Sequence, residues 1–251
     1  MYGPDEIKKV QQRLLEMAVK IAGILEKHDI PYIITYGTLL GAVRNKGFIP
    51  WDDDFDFYLF EDSYSEAMRV LRAELPADMF LEDEVSEPLY FHGWSHVKDM
   101  NSYVECDLFP QDNSYSHHGI SVDLYKLSKV KKGHEDIHRL TEHIAYLKRK
   151  KSKGFLSEED FELKAAELRA KLDLLKASVS DDVDGWTWLS VFIDWFEQDD
   201  LFPLRRYEFE GTSFYGPNKA EAQLTRRYGD YMSLPPVEQR VPHYSRVEFY
   251  K

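Results

Sequence analysis

The chain has 251 residues, with Lys plus Arg at 32 against Asp plus Glu at 45, a formal charge of −13. Such an acidic balance excludes general nucleic-acid or anionic-membrane binding, which needs a basic patch, and leaves phosphates to metal ions or a few local cations. The 43% hydrophobic content excludes a disordered chain, and the single cysteine, Cys106, excludes an intrachain disulfide, a CxxC motif or a Cys/His zinc spacing.

Residues 5–29 read as an amphipathic helix, with Val10, Leu14, Met17, Ile21 and Leu25 at helical spacing, and Pro31 forbids its continuation. Residues 32–36 read as a short strand broken by Gly37-Thr38, followed by one or two helical turns over 39–44 and a tight turn at 45–47. Residues 55–60 alternate and read as a strand with an acidic face. A helix over 63–75 has Ser63 as a plausible N-cap and Glu66 three residues on. Further strands are expected near 89–99, 101–107 and 119–125, then charged helices over 134–150 and 158–178. Residues 184–197 carry Trp186, Trp188, Phe192, Trp195 and Phe196 and read as a helix with an aromatic face. Beyond Leu201, short strands alternate with loops and a helix near 218–228. The fold class expected is α+β, a single domain over 1–251 whose helical middle, about 131–200, is an insertion or lobe. No apolar run reaches transmembrane length, and the polar opening MYGPDEIKKVQQ lacks a signal-peptide core, so the cytoplasm is the expected location.

The densest chemistry lies in Trp51-Asp52-Asp53-Asp54-Phe55-Asp56-Phe57-Tyr58. Asp is a poor strand former, and like charges this close repel one another. A cation relieves that repulsion; carboxylate oxygens suit Mg²⁺ or Mn²⁺, and strand alternation puts Asp54 and Asp56 on one side. The plain alternative is a solvated acidic loop. Upstream, Ile34-Thr35-Tyr36-Gly37-Thr38 ends a strand and opens a helix, a junction that offers backbone N–H groups and a hydroxyl to an anion. Together these resemble a phosphate cradle beside a metal site, as in polymerase-β-like nucleotidyltransferases, with a somewhat longer spacer from Thr38 to Asp54.

The run Tyr36-Gly37-Thr38-Leu39-Leu40-Gly41-Ala42-Val43-Arg44-Asn45-Lys46-Gly47-Phe48-Ile49-Pro50-Trp51-Asp52-Asp53-Asp54-Phe55-Asp56 closely resembles the signature of the LicD family of phosphocholine transferases and fukutin-type phosphotransferases. The resemblance continues through His96-Val97-Lys98-Asp99, Gly119-Ile120-Ser121-Val122-Asp123-Leu124-Tyr125 and Tyr228-Gly229-Asp230, with Arg240 and His243 after them. It implies a polymerase-β-like nucleotidyltransferase core. It also implies metal-dependent transfer of a phospho-alcohol, phosphocholine by default, from a CDP-linked donor to a sugar or glycan hydroxyl with release of CMP. Ribitol, glycerol and ethanolamine remain open as the alcohol, and a lipid-linked acceptor would require transient membrane-surface contact.

On this resemblance Asp54, Asp56 and Asp123 are the catalytic metal ligands, holding Mg²⁺ or Mn²⁺, in the two-ion arrangement usual for this chemistry. Asp123 is also the candidate base. The family's later strand usually continues Phe-Pro-hydrophobic-Asp, whereas here Asp107-Leu108-Phe109-Pro110 imitates that motif upstream, so Asp107 is the alternative third carboxylate. Gly37, Thr38, Arg44 and Lys98 are assigned to the donor phosphates, and Arg240 and His243 to the leaving group. His117 and His118 are adjacent, so their side chains diverge, and one of them is a candidate for the site wall. Tyr90, Phe91, Trp94 and Tyr103 flank Lys98 and could cage a quaternary ammonium. Two rival readings share these residues: a nucleotidyltransferase acting on a small molecule, and an inactive nucleotide- or glycan-binding module.

Overall fold

The computed structural model describes residues 3–106, 110–180, 184–190 and 194–250. Helix α1 (Pro4–Lys27) buries Val10, Leu14, Met17 and Ile21 in the main core, as the spacing requires. After it come β1 (Tyr32–Ile34), α2 (Tyr36–Arg44), β2 (Phe55–Phe60), α3 (Glu61–Glu74), β3 (Met79–Glu82), β4 (Ser95–Asp99), β5 (Ser102–Cys106) and the long β6 (Ser121–Lys131). Helices α4 (Glu135–Ser152) and α5 (Glu158–Ser178) follow, then β7 (Trp186–Ser190), β8 (Trp195–Glu197), the single turn α6 (Gln198–Leu201), β9 (Arg205–Phe209), β10 (Thr212–Gly216), α7 (Ala220–Tyr228) and β11 (Tyr244–Phe249).

The main sheet is mixed, in the order β1-β2-β6-β4-β3, with β7 and β8 continuing from the far half of β6. Strands β2 and β6 are parallel; the other pairs in this sheet are antiparallel. Strand β2 is buried on both faces. Phe55, Phe57 and Leu59 enter the main core beneath α1, whereas Tyr58 and Phe60 join a second cluster with Leu127, Trp188 and Phe196. Asp56 shares this second face by alternation. Two small sheets flank the main one: the β9–β10 hairpin, and β11 paired with β5. Helices α4 and α5 pack together through Leu147, Phe161 and Ala165 and form an excursion between β6 and β7, two strands that pair directly.

The structure corrects three local expectations. Residues 186–190 and 195–197 are strands rather than one helix. Trp, Thr and Leu suit a pleated, half-buried surface, and Trp186 and Trp188 stand two apart on the face where both rings meet the Lys129 ammonium. Helix α3 begins at Glu61, so Ser63 is no N-cap; its hydroxyl donates to the Phe60 carbonyl from within the first turn. Strand β1 stops at Ile34, because Tyr36 has a left-handed φ of 48° that turns the chain into α2.

Candidate active site

The central parallel register places Asp56 opposite Asp123, and the antiparallel neighbours place His96 opposite Asp123 and Glu82 opposite His96. Four ionisable side chains therefore form one row across the sheet: Asp56, Asp123, His96 and Glu82. The Trp94 indole N–H donates to His96 Nε2 (2.9 Å), so the ring proton sits on Nδ1, 3.1 Å from Glu82 Oε2. On its other side Nε2 lies 3.7 Å from Asp123 Oδ1. Asp123 also accepts the Tyr125 hydroxyl at Oδ2 (2.8 Å) and the Ser121 hydroxyl at Oδ1 (3.4 Å).

Asp52, Asp53 and Asp54 approach this row from the loop before β2. Asp53 is fully buried and accepts the backbone N–H groups of His243 (2.8 Å) and Tyr244 (3.0 Å), so its role is to fasten the segment entering β11. That fastening brings His243 Nδ1 within 3.4 Å of Asp54 Oδ2. Asp52, Asp54 and His243 offer ligand atoms that all lie within 4.8 Å of one another. Asp54 Oδ1 is buried without a hydrogen-bond partner. Burial pushes the Asp52 and Asp56 carboxyls well above the usual carboxylate range and raises that of Asp54, and their mutual repulsion adds to it. The hydrogen bond that Asp53 accepts from the imidazole, with further charge from Asp54, raises His243 to about 9. Oxygens with one imidazole, gathered this closely, are a donor set of the kind that can hold Mn²⁺ or Mg²⁺.

The loop is held from three sides. The Gln11 side-chain amide donates to the carbonyls of Ile49 (3.0 Å) and Asp52 (2.8 Å), tying it to α1. Glu210, at the β9–β10 turn, accepts the Phe48 N–H (3.2 Å) and donates its own N–H to the Lys46 carbonyl (2.8 Å). At the start of α2, a Cβ on Gly37 would lie 2.6 Å from Asp52 Oδ2, so only glycine lets that carboxylate rest on the helix.

Two cavities meet at the acids. The larger, about 710 Å³, is lined by Gly37, Arg44, Asp52, Asp54, Asp56 and Arg227, among others, with aromatic walls from Tyr36, Trp51, Tyr228 and Tyr231. The smaller, about 210 Å³, contains Lys98, Asp123, His117, His118 and Trp94. Asp54, Tyr125 and His243 border both.

Of the residues expected in the site, Asp54, Asp56, Gly37, Arg44 and His243 line the larger cavity, and Asp123 and Lys98 the smaller. The tight triad differs from the expected ligand set: Asp52 and His243 stand with Asp54, while Asp56 and Asp123 form the adjoining strand pair. Thr38 lies behind the site, where its buried hydroxyl accepts the Asp56 N–H (3.0 Å) and aligns α2 with β2. Arg240 is among the lining residues of neither cavity; its guanidinium lies 5.3 Å from the Trp51 ring centre, and its Nε donates to the Pro235 carbonyl (2.9 Å). Tyr90 and Phe91 pack with Tyr115 in a buried aromatic cluster and form no cage. Asp107 lies outside the described residues.

Arg227 is a site residue that sequence reasoning missed. Its Nη1 donates to Asp194 Oδ1 (2.7 Å) and its guanidinium lies 4.2 Å from the centre of the Tyr36 ring. Its nearness to Tyr228-Gly229-Asp230 was the available signal. Gly229, at φ 66°, ends α7 there and turns Asp230 toward the cavity.

Residues 29–142 match the family model described as LicD/FKTN/FKRP, nucleotidyltransferase domain. Over this stretch the chain is similar to the LicD family. It is 28% identical over 244 residues, 88% of this chain and 89% of the relative, to the lipopolysaccharide cholinephosphotransferase LicD of Haemophilus influenzae. Uncharacterized proteins of Rickettsia prowazekii and Rickettsia typhi are each 28% identical over 134 and 135 residues, half of this chain and 49% and 41% of theirs. The family model covers β1 through the start of α4 and so contains Asp54, Asp56, His96 and Asp123. Arg227 and His243 lie beyond it, within the remainder of the chain.

Proposed function

We propose that this protein is a metal-dependent transferase that moves phosphocholine from CDP-choline to a hydroxyl of a sugar or glycan, releasing CMP. The observation that carries the reading is the Asp56–Asp123 strand pair beside the Asp52–Asp54–His243 triad, at the junction of two cavities. The H. influenzae relative, a lipopolysaccharide cholinephosphotransferase, supports both the choline and the glycan. We further propose that 1–251 forms one transferase domain with a polymerase-β-like nucleotidyltransferase core and the α4–α5 excursion.

Mg²⁺ or Mn²⁺, held by Asp54 with Asp52 and His243 and by Asp56 with Asp123, would neutralise the diphosphate and lower the pKa of the acceptor hydroxyl. Arg44 and Arg227 line the larger cavity, where they would meet the donor's phosphates and the developing charge on CMP. Trp51, Tyr228 and Tyr231, with the Asp230 carboxylate nearby, offer ring faces to a quaternary ammonium. Asp123, oriented by Tyr125 and Ser121 and bordering the smaller cavity, is placed to accept the acceptor's proton. Lys98 borders the same cavity, with its ammonium 3.8 Å from Glu82, and would assist anion binding there.

The family description also names a nucleotidyltransferase domain. Product analysis separates the two chemistries. With Mn²⁺, CDP-choline and a glycan lacking phosphocholine, the reading requires CMP and a choline-bearing glycan. Pyrophosphate released from a nucleoside triphosphate, with no CMP from CDP-choline, would replace it with nucleotidyl transfer.

A further inference from the structure

A third cavity, about 770 Å³, opens between α3, the β3–β4 connection, β6 and α4. It is lined by four cationic residues, Arg69, Arg72, Lys126 and Arg149, against the carboxylates Asp83 and Glu84. That excess of positive charge is notable in a chain of net charge −13. Two of the cations are neutralised, Arg69 by Glu66 (2.6 Å) and Arg72 by Asp83 (2.5 Å). The other two have no carboxylate partner among the described residues. Lys126 stands over the Tyr64 ring at 5.4 Å, and Arg149 gives its Nε–H to the Phe91 carbonyl at 3.0 Å. Gly93 makes room for Arg149: a Cβ there would lie 2.9 Å from Arg149 Nη2. Arg149 is therefore held by backbone on one side with guanidinium donors left over.

This cavity is linked to the active site. Trp94 lines it and also lines the small cavity that holds Asp123 and Lys98. The Trp94 indole N–H is fixed on His96, and its ring lies 5.4 Å from that of Tyr125. A flat aromatic wall beside unpaired cations suits a sugar ring carrying an anionic group.

We propose that this cavity binds an anionic sugar unit of the acceptor, phosphorylated or carboxylated, and that Lys126 and Arg149 recognise its charge. The acceptor assignment rests on the transferase reading; the anionic sugar site does not. An acceptor seated there would pass along Trp94 toward Asp123. The reaction would then favour glycans that already carry negative charge near the hydroxyl to be modified.

Calorimetric titration of the full chain, without metal or donor, tests the site separately from catalysis. The probes are glucose 6-phosphate, glucuronate, glucose and inorganic phosphate, each added to wild type, Lys126→Gln, Arg149→Gln and Asp54→Asn. The proposal expects glucose 6-phosphate or glucuronate to bind several-fold tighter than glucose or phosphate. It expects about a tenfold loss in Lys126→Gln or Arg149→Gln and no change in Asp54→Asn. Should Arg149→Gln fail to fold, the variant at half-buried Lys126, Lys126→Gln, still decides. No binding of the charged sugars, equal binding to all four proteins, or loss in Asp54→Asn would overturn the site. Phosphate binding as tightly as the sugar phosphate would overturn the sugar assignment. CMP release independent of acceptor charge would overturn the acceptor role alone, whereas no CMP release from any acceptor would count against the transferase reading.

Discussion

Asp56 on β2 and Asp123 on β6 face each other in parallel register, so two carboxylates share one face at the centre of the sheet. Neighbouring strands lie about 4.8 Å apart, a spacing that suits ligands of a common cation group and is costly without one. Asp56→Asn should therefore lower turnover on the order of a thousandfold or more, the scale of losing charge stabilisation at a reacting phosphate. The same variant should melt higher than wild type without metal, by about 1–2 kcal/mol, since a buried repelling group is removed. Thermal melts with and without chelator check this; a metal-free variant less stable than wild type would show that Asp56 is no strained ligand.

Tyr125 holds Asp123 by one hydrogen bond of 2.8 Å from its hydroxyl. Tyr125→Phe keeps the ring, which packs against Tyr36 and Trp94, and removes the hydroxyl that makes that bond. Turnover should fall about 10–100-fold, the usual loss when an outer partner of a metal ligand is deleted. Unchanged metal affinity and turnover in Tyr125→Phe would remove the orienting role.

Gly119 precedes the strand that carries Asp123. A Cβ there would lie 1.8 Å from the Asp99 carbonyl oxygen, which is backbone and cannot step aside. Gly119→Ala should cost about 3 kcal/mol or more through forced separation of β4 and β6. Chemical denaturation measures it, with Gly211→Ala as a contrast: nothing lies within 4 Å of that site, but its φ of 77° strains any side chain, so about 1 kcal/mol is expected.

Glu26 links α1 to the β9–β10 hairpin. Burial opposes its ionisation, but hydrogen bonds from Arg206 (2.7 Å) and the Tyr32 hydroxyl (2.6 Å) outweigh it and hold the carboxyl below its ordinary 4.5. A lowered folded pKa contributes stability that is complete above 4.5 and is lost as the pH falls through the folded value. Glu26→Gln should be less stable than wild type at pH 7 by about 1 kcal/mol, after screening at a partly exposed site. The two melting curves should converge as the pH drops below 4. A gap that stays constant with pH would assign the effect to packing.

The acidic strand was legible because alternation over 55–60 places Asp56 opposite the core-facing Phe55 and Phe57. Gly37 was legible as a junction and Gly119 as the opening of a family-like strand, although the atoms they make room for, Asp52 Oδ2 and the Asp99 carbonyl oxygen, are visible only in three dimensions. The row from Asp56 to Glu82 was hidden, since it depends on strand order and on β3, a four-residue strand with little pattern of its own. Arg227 was hidden because basic residues in the last turn of a helix ordinarily just complement its dipole. Gln11 was hidden because its two bonds to the acidic loop span 38 and 41 residues. Residues 186–197 were misread because aromatics three and four apart fit a helix, while those two apart fit a strand.

The central claim is that the acidic cluster binds a metal and, with it, a CDP-alcohol. Thermal melts with Mn²⁺ and CDP-choline, in wild type and Asp54→Asn, test it without any acceptor. A ligand at about 100 times its dissociation constant adds about 2.7 kcal/mol. Wild type should gain stability with Mn²⁺ and a further gain of that order once CDP-choline is added to the metal-bound protein, and Asp54→Asn should gain neither. Equal stabilisation of the two proteins, or none in wild type at saturating Mn²⁺ and CDP-choline, would contradict the account.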